Sequence, residues 1–262
     1  MPLALSVVGA PALADRLRGV RLDGPARMVV IGGPVRERAQ RAAEALSDGA
    51  HVLLLWPPAA TAAEGVALAS RAEEAGVEIG VLRPLGARVL AGVPEGWAAR
   101  LVTLTLVART GGPLAGLGWN RLLAGAADLC ASLADARDAS RLDAVAERDG
   151  DALRAVALAG RFETGAYAQA VVRFSDHAEA DAVSLYASRP GSRVEAPSLD
   201  GPLCVEAEGR RVAWPEPSDP DPEVAQVRAF ARAAASGRRA PYGLDAALTA
   251  LRLADRVRQQ LR

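Results

Sequence analysis

The stretch AHVLLLWPPAATAAEGVALASRAEEAGVEIGVLR, residues 50–83, decides the fold class. It begins with a short apolar run and continues through a segment whose apolar residues recur at helical spacing as far as Gly76. It closes with a second apolar run. Near-continuous apolar strands joined by a helix are typical of a parallel sheet covered on both faces. The stretch therefore predicts a β-α-β unit.

The same alternation precedes this unit. Two more apolar runs, LALSVVG at residues 3–9 and ARMVVIGG at residues 26–33, are each followed by a helical pattern. Pro34 suits the first turn of the second helix, because a proline there lacks only an N–H that has no partner within the helix. Residues 1–90 are predicted to form a doubly wound, Rossmann-like domain with a parallel sheet.

After residue 90 the pattern changes. The run RLVTLTLVART, residues 100–110, alternates apolar and polar side chains, as a strand with one covered face does. A helix with Asn120 as its N-cap, several strand-like runs, a Pro- and acid-rich loop at residues 215–223 and two helices follow. Residues 91–262 are predicted to form an α+β domain with an open, mostly antiparallel sheet.

The composition limits the possible partners and the cellular location of the protein. The 262 residues carry 31 basic and 31 acidic side chains, which argues against a nucleic-acid or anionic-membrane partner. No apolar run approaches the roughly 20 residues of a membrane-spanning helix. The N-terminus lacks the basic start of a signal peptide, and Cys130 and Cys204 are far apart in the sequence. A cytoplasmic location is predicted, with both cysteines as buried apolar side chains.

Every basic side chain apart from His51 and His177 is an arginine, and the chain contains no lysine. Arginine does not release a proton in the working pH range, so no amine is present to act as an acid, a base or a Schiff-base nucleophile. His51 lies at the start of a core strand and is predicted to be structural, and His177 lies in a polar turn. With the two cysteines they form no metal-ligand spacing, so no metal site is predicted.

The order of elements resembles the glucose–fructose oxidoreductase / inositol dehydrogenase / MocA (Gfo/Idh/MocA) family. The resemblance is carried by residues 50–86, by GGPLAGLGWNRLLAGAADL at residues 111–129, by GPLCVEAEGRRV at residues 201–212 and by the two terminal helices. It covers most of the chain. It implies a dinucleotide-binding domain joined to an α+β domain, with NAD(P)-dependent redox activity.

The dinucleotide motifs of that family are degenerate here. In the turn Gly9-Ala10-Pro11-Ala12-Leu13-Ala14 only the first of the three fingerprint glycines is kept, and Pro11 brings a ring where a diphosphate needs bare backbone. The second strand ends at Gly32-Gly33 without the acid that holds a ribose. Arg36 nearby leaves two interpretations open, an NADP phosphate contact or an ordinary solvated helical turn.

The catalytic positions implied by the resemblance are altered as well. Trp56, before Pro57, is predicted to fill the cofactor cleft, with a stacking platform for a planar ligand as the alternative. Arg83 stands in the place of the family's lysine, and Asn120 stands near its histidine. We take Arg83, Trp119 and Asn120 as the cleft candidates, with no assigned catalytic role. The cofactor positions are Gly9, Pro11, Gly32, Arg36, Trp56 and Pro57.

Two functions remain open on the sequence. The favoured hypothesis is a non-redox protein of oxidoreductase fold without a cofactor, which serves as a small-ligand binder or a partner subunit. The alternative is an active NAD(P)-dependent oxidoreductase that acts on a sugar-like or other small polar substrate. The resemblance also implies a homodimer or hetero-oligomer, formed through the open face of the C-terminal sheet between about Arg154 and Arg211.

Overall fold

The computed structural model describes residues 4–18, 27–83, 85–93, 96–198, 204–207, 210–213 and 221–261. Most of the predicted acidic loop at residues 215–223 lies outside these ranges. Within them, no helix combines the length and the apolar character needed to cross a bilayer.

Nineteen helices and strands are found in the described ranges. In chain order they are β1 (Ala4–Val8), α1 (Pro11–Leu17), β2 (Arg27–Ile31), α2 (Val35–Ser47), β3 (His51–Leu54), α3 (Ala62–Ala75), β4 (Ile79–Val81), α4 (Ala87–Gly92), β5 (Leu101–Arg109), α5 (Pro113–Leu133), β6 (Ala139–Asp149), β7 (Ala152–Phe162), β8 (Tyr167–Ser175), β9 (Ala182–Arg189), β10 (Ser192–Ala196), β11 (Cys204–Ala207), β12 (Arg210–Ala213), α6 (Pro222–Ala235) and α7 (Leu244–Gln260).

The chain forms two compact units. One comprises Met1–Arg83 with Ser218–Leu248, and the other comprises Pro84–Pro217 with Thr249–Arg262. Helix α6, which comes late in the sequence, therefore belongs with the first sheet. The predicted domain ranges 1–90 and 91–262 stay a prediction.

The first unit contains a parallel sheet in the order β1-β2-β3-β4. This confirms the predicted parallel sheet, but the strand order differs from the doubly wound arrangement that we expected. A doubly wound sheet reverses its strand order near the middle, whereas here each strand adds to the same edge as the last. Strand β1 consequently lies at an edge, with half-exposed and exposed residues, instead of at the centre.

One face of this sheet packs on α1 and α6. The core there joins Leu13 and Leu17 of α1, Met28 and Val30 of β2, and Phe230 of α6, all of which are buried. Helices α2 and α3 pack on each other, and α2 contacts β2 and β3. Gly76 ends α3 in a left-handed conformation, as the sequence predicts, and the structure adds that the Thr61 side chain caps its start.

The second unit contains an eight-stranded sheet in the order β12-β11-β10-β9-β5-β8-β7-β6. Only β5 and β8 run parallel, and the other neighbours are antiparallel. The long helix α5 packs on one face, through side chains such as Leu122, Leu129 and Leu133. The mostly antiparallel sheet confirms the predicted fold class.

Helix α5 differs from the expected helix at its start. It begins at Pro113 rather than at Asn120, and Gly118, with φ 72° and ψ 163°, interrupts it. The prediction that Asn120 caps the helix is wrong, because its Oδ1 accepts a hydrogen bond from Arg258 at 3.3 Å instead. A short helix, α4, was also missed, since its six residues are too few to show a period.

Candidate functional site

The candidate cofactor residues lie at the carboxyl ends of the parallel strands. Gly9 follows β1, Gly32 follows β2, Trp56 and Pro57 follow β3, and Arg83 follows β4. Since all four strands run in the same direction, these turns meet at one edge of the sheet. Open α/β sheets bind ligands at this edge, so this is the place to test for a cofactor site.

The two glycine turns pack directly on each other. A Cβ atom on Gly9 would lie 2.9 Å from the backbone of Gly32, and a Cβ atom on Gly32 would lie 2.9 Å from Ala10. Gly9 also has a φ of 69°, which side-chain-bearing residues rarely adopt. Backbone packing therefore accounts for both glycines without any ligand.

Pro11 is the first residue of α1, as the sequence predicts. It removes one of the N–H groups that a helix start offers to an anion, and the helix that follows has only seven residues. The cap residue Ala10 provides no side-chain acceptor. This turn is a poor place for a diphosphate.

An arginine side chain links the turns after β2 and β3. Arg38, from the first turns of α2, has only 3% of its surface exposed. Its guanidinium donates to the carbonyl oxygens of Gly33 at 3.1 Å and Leu55 at 2.7 Å, and also to that of Pro57. It thereby ties the turn after β2 to the turn after β3.

The position of Arg38 corrects the interpretation of this segment as a solvated helical turn. Only part of the segment is solvated, because Arg36 is exposed while Arg38 is buried two residues later. The sequence carried one signal for this. The buried face of α2 includes Arg38, Ala42 and Leu46, which follow one another at four-residue spacing. An arginine that begins the apolar face of a helix can therefore be a buried structural residue.

Trp56 does not present a ring face to solvent. Its side chain is 5% exposed. A stacking platform needs an accessible aromatic face, so the structure favours the space-filling alternative of the two that the sequence left open. Pro57, joined to Trp56 by a cis peptide, contributes the carbonyl oxygen that Arg38 contacts.

Arg83 is held by neighbours from the C-terminal part of the first unit. Its backbone N–H donates to Oε1 of Gln226 at 2.7 Å, and its guanidinium lies over the ring of Tyr242, 4.0 Å from the centroid. Neighbouring Leu82 is buried, and its N–H donates to Leu54 at 2.7 Å. The guanidinium stacked on a tyrosine can orient an anion but cannot transfer a proton.

The two remaining candidates, Trp119 and Asn120, belong to α5 in the second unit. Trp119 packs on Phe174 with ring centroids 4.6 Å apart, and it lies against the core of that unit. The exposed Asn120 accepts from Arg258. Both side chains thus have structural partners within their own unit.

The histidines and cysteines supply no catalytic centre. Nδ1 of His51 accepts from the backbone N–H of Glu78 at 3.0 Å, and burial lowers the pKa of this histidine. Burial also raises the pKa of the Cys130 thiol to about 12, as expected for an inert cysteine. Cys204 is only half-buried, contrary to our expectation, and accepts a hydrogen bond from Arg211 at 2.7 Å.

The described ranges contain no group of three or more histidine, cysteine, aspartate or glutamate side chains arranged to hold a metal ion. His177 lies exposed in its turn, as predicted. The strand-end edge thus consists of packed glycines, a buried arginine, a buried tryptophan and a stacked arginine. This edge lacks the bare glycine turn that a dinucleotide needs, because Pro11 removes a backbone donor and Arg38 links the turns after β2 and β3.

Several solved structures that match this fold are oxidoreductases or dehydrogenases. UDP-N-acetylglucosamine 3-dehydrogenase GnnA from Acidithiobacillus ferrooxidans matches with a TM-score of 0.79 at 17% identity, over 98% of this chain and 97% of that one. A dehydrogenase from Chromobacterium violaceum matches with a TM-score of 0.73 at 20% identity, over 100% and 96%.

An oxidoreductase from Agrobacterium radiobacter, solved with NAD⁺, L-tartaric acid and magnesium, matches with a TM-score of 0.73 at 11% identity, over 99% of this chain and 96% of that one. No protein-family model and no curated protein sequence matches the chain. At these identities the likeness establishes the fold, and function has to be argued from the site.

Proposed function

We propose that this chain is a non-redox protein with an oxidoreductase fold, which acts as a small-ligand binder or partner subunit and holds no dinucleotide at the strand-end edge. One observation carries the proposal. The buried guanidinium of Arg38 bridges the turns after β2 and β3, at the carboxyl-end edge of the sheet where open α/β sheets bind their ligands.

The contacts of Arg38 make this occupancy hard to reverse. A ligand that entered the crevice would have to displace the guanidinium from the carbonyl oxygens of Gly33, Leu55 and Pro57. Buried acceptors left without a donor cost about 1–3 kcal/mol each. A dinucleotide would have to replace those bonds and also compensate for moving a charged side chain.

Strand order supports the same conclusion. Dinucleotides bind where the order of a doubly wound sheet reverses, and the order β1-β2-β3-β4 contains no reversal. Both glycine turns also lead into a proline, at Pro11 and Pro34, so each has lost a backbone donor. These features support the proposal that no dinucleotide binds at this edge.

The proton-transfer groups point the same way. The chain has no lysine. Arg83 is stacked on Tyr242 and Asn120 is bonded to Arg258, and neither side chain can act as an acid or a base near neutral pH. Sugar dehydrogenation requires a base for the hydroxyl proton. The lack of such a base at these positions is consistent with a ligand-binding or partner role.

The alternative is an active NAD(P)-dependent oxidoreductase that acts on a sugar-like or other small polar substrate. It is favoured by the fold shared with a UDP-N-acetylglucosamine dehydrogenase and with an oxidoreductase solved with NAD⁺. The exposed Arg36 would then be available for an NADP phosphate. On that hypothesis Arg38 must move when the cofactor binds.

Calorimetric titration of the purified full chain with NADH and with NADPH separates the two functions. We expect no saturable heat and no rise in melting temperature, since a ligand that binds the folded state stabilises it. Saturable binding of either cofactor, together with a rise in melting temperature, would overturn the proposal.

A Pro11→Gly variant tests whether Pro11 or Arg38 prevents dinucleotide binding. It restores the glycine at the third fingerprint position and leaves Arg38 in place. We expect this variant to bind neither cofactor. Binding regained by Pro11→Gly alone would identify the proline, and not Arg38, as the obstacle.

We propose further that the open face of the second sheet pairs with a second copy of this chain or with a related subunit. Apolar side chains are exposed there, with Val145 72% and Tyr167 44% accessible, and Ala157 lies between Val145 and Val171 in the sheet. Exposed aromatic and aliphatic side chains of this kind are found at subunit contacts.

Sedimentation analysis tests the pairing. Ala157→Arg places a charge in the middle of this face and is expected to yield monomers. Ser140→Arg, at an exposed position of β6 away from Val145 and Ala157, should leave the assembly unchanged. A wild-type chain that sediments as a monomer at all concentrations would refute homodimerisation.

A further inference from the structure

The β6–β8 end of the second sheet carries two opposite charges that the chain itself does not pair. Glu147 of β6 lies directly opposite Ala155 of β7, and Ala155 lies directly opposite Arg173 of β8. The three residues form one row across three strands. Glu147 and Arg173 are both exposed, and neither forms an ion pair or a side-chain hydrogen bond within the described ranges.

This row lies on the open side of the sheet. Leu142 of β6, Val156 of β7 and Val172 of β8 are all buried in the core of the second unit. Each member of the row is an odd number of positions away from the buried residue of its own strand. Successive side chains of a strand point to opposite faces, so the row faces away from the core.

The neighbouring row on the same side is apolar. Val145 of β6 lies opposite Ala157, and Ala157 lies opposite Val171 of β8. On this side the middle strand thus presents small side chains at Ala155, Ala157 and Ala159. Small side chains let a second sheet approach β7 closely, while larger side chains on either side can interdigitate with those of the second sheet.

The other end of the open face has already paired its charges within the chain. Arg193 pairs with Glu206 at 2.7 Å and with Glu195 at 3.5 Å, and Arg211 pairs with Glu195 at 3.5 Å. These exposed pairs need no second molecule. The unmatched opposite charges at the β6–β8 end therefore indicate where a charged partner would gain most.

We infer that a second copy of this chain binds there, related by a two-fold axis that runs along β7 in the interface. The inference rests on the subunit pairing proposed above and specifies its partner and its register. Rotation about this axis places β6 of one copy over β8 of the other. Glu147 of each copy then meets Arg173 of the other copy, and Val145 meets Val171. Because a two-fold contact is self-complementary, both contacts occur twice.

The charges favour this axis over one that runs across the strands along the row of valines. The second axis would exchange the rows on its two sides, and on β6 it would bring Asp143 of one copy against Glu147 of the other. Like charges in contact disfavour an interface, although Arg141 partly neutralises Asp143 at 2.7 Å. With the axis along β7, Arg161 faces its own counterpart, but it lies near the strand end, where a long side chain can turn to solvent.

Charge reversal tests the register. Sedimentation velocity over a range of concentrations gives the dimer dissociation constant of the full-length wild type, of Glu147→Arg and of Arg173→Glu. Each substitution acts at two symmetry-related contacts and makes both of them repulsive, so we expect each variant to dissociate at least about tenfold more readily. Arg36→Glu, at an exposed position of α2 in the first unit, is the matched control and should change the constant by less than about twofold.

An equimolar mixture of Glu147→Arg and Arg173→Glu provides the sharpest measurement. In a mixed pair one copy presents two positive charges and the other presents two negative charges, so both contacts are attractive again. We expect mixed dimers with a dissociation constant within about threefold of the wild-type value. Rescue by mixing cannot arise within one chain, and it also shows that both variants are folded.

The outcomes separate this inference from the pairing on which it rests. A mixture that stays as dissociated as its two components would overturn the inference. Single variants that dimerise as tightly as the wild type would overturn it too, and would leave the pairing itself standing in another register. A wild-type chain that is monomeric at every concentration would remove both the homodimer and the register inferred for it.

Discussion

Two regions of the molecule use arginine in opposite ways. At the strand-end edge of the first unit, Arg38 is buried and donates to backbone carbonyl oxygens of its own chain. At the β9–β10 hairpin of the second unit, Arg100 and Arg189 are exposed, line a cavity and have no carboxylate partner in the described ranges. The same residue type is a buried structural link in one unit and an exposed side chain in the other.

The difference lies in where the donors of each guanidinium are directed. A guanidinium whose N–H groups meet buried acceptors is a structural link, and its removal exposes unsatisfied carbonyl oxygens. A guanidinium at a solvated rim keeps donors for a ligand and contributes little to folding. Stability should therefore depend strongly on Arg38 and only weakly on Arg100 and Arg189.

The largest expected effect is that of Arg38→Met on stability. The variant leaves the carbonyl oxygens of Gly33, Leu55 and Pro57 without their donor, so we expect the free energy of unfolding to fall by about 3 kcal/mol. Urea unfolding followed by circular dichroism measures the change. Arg36→Met, on the same helix but exposed, is the control and should alter stability by less than about 0.5 kcal/mol. Equal effects of the two variants would erase the contrast between the regions.

A smaller loss is expected from Gly80→Ala. The added Cβ would lie 2.8 Å from the buried ring of Phe230 and 3.1 Å from Ala240, so the packing of β4 on α6 must shift. Overpacking of this kind costs about 1–3 kcal/mol. Ser188→Ala at the hairpin should change the free energy of unfolding by less than about 0.5 kcal/mol. Thermal unfolding measures both variants. A lower melting temperature for Ser188→Ala than for Gly80→Ala would contradict this prediction.

The smallest effect concerns pH. Burial lowers the pKa of His51, whose Nδ1 accepts from Glu78, so the unfolded chain binds a proton more readily than the folded chain. The contribution of His51 to stability is therefore complete above about pH 6.5 and declines as the pH falls below that value. His51→Gln should flatten the pH dependence of the urea midpoint between about pH 5 and 7. His177→Gln, at an exposed turn, should keep it, and an unchanged slope in His51→Gln would show that this histidine does not couple folding to pH.

Much of the fold could be predicted because its signals are local. Apolar runs and helical spacing located β1 to β4 and their helices, and turn residues such as Gly76 marked where helices end. The sheet order could not be predicted, since it depends on which strands pair across long separations. The interruption at Gly118 and the short helix α4 also escaped, because a glycine and six residues carry no periodic pattern.

The sequence predicted which turns form the candidate site, but not the side-chain contacts within it. The sequence identified Gly9, Gly32, Trp56 and Arg83 as neighbours at one sheet edge, and it identified the losses in the dinucleotide motifs. It did not single out Arg38, because its acceptors at Leu55 and Pro57 lie 17 and 19 positions further along the chain.

The sequence by itself determined the two sheets, the absence of any amine for proton transfer and the loss of the glycine fingerprint, because these follow from residue identity and from periods of two and 3.6 residues. Only the tertiary structure decided which arginines are used up and which remain available. A guanidinium finds its acceptors in three dimensions, and whether water or backbone receives its hydrogen bonds depends on packing between segments that are distant in the chain.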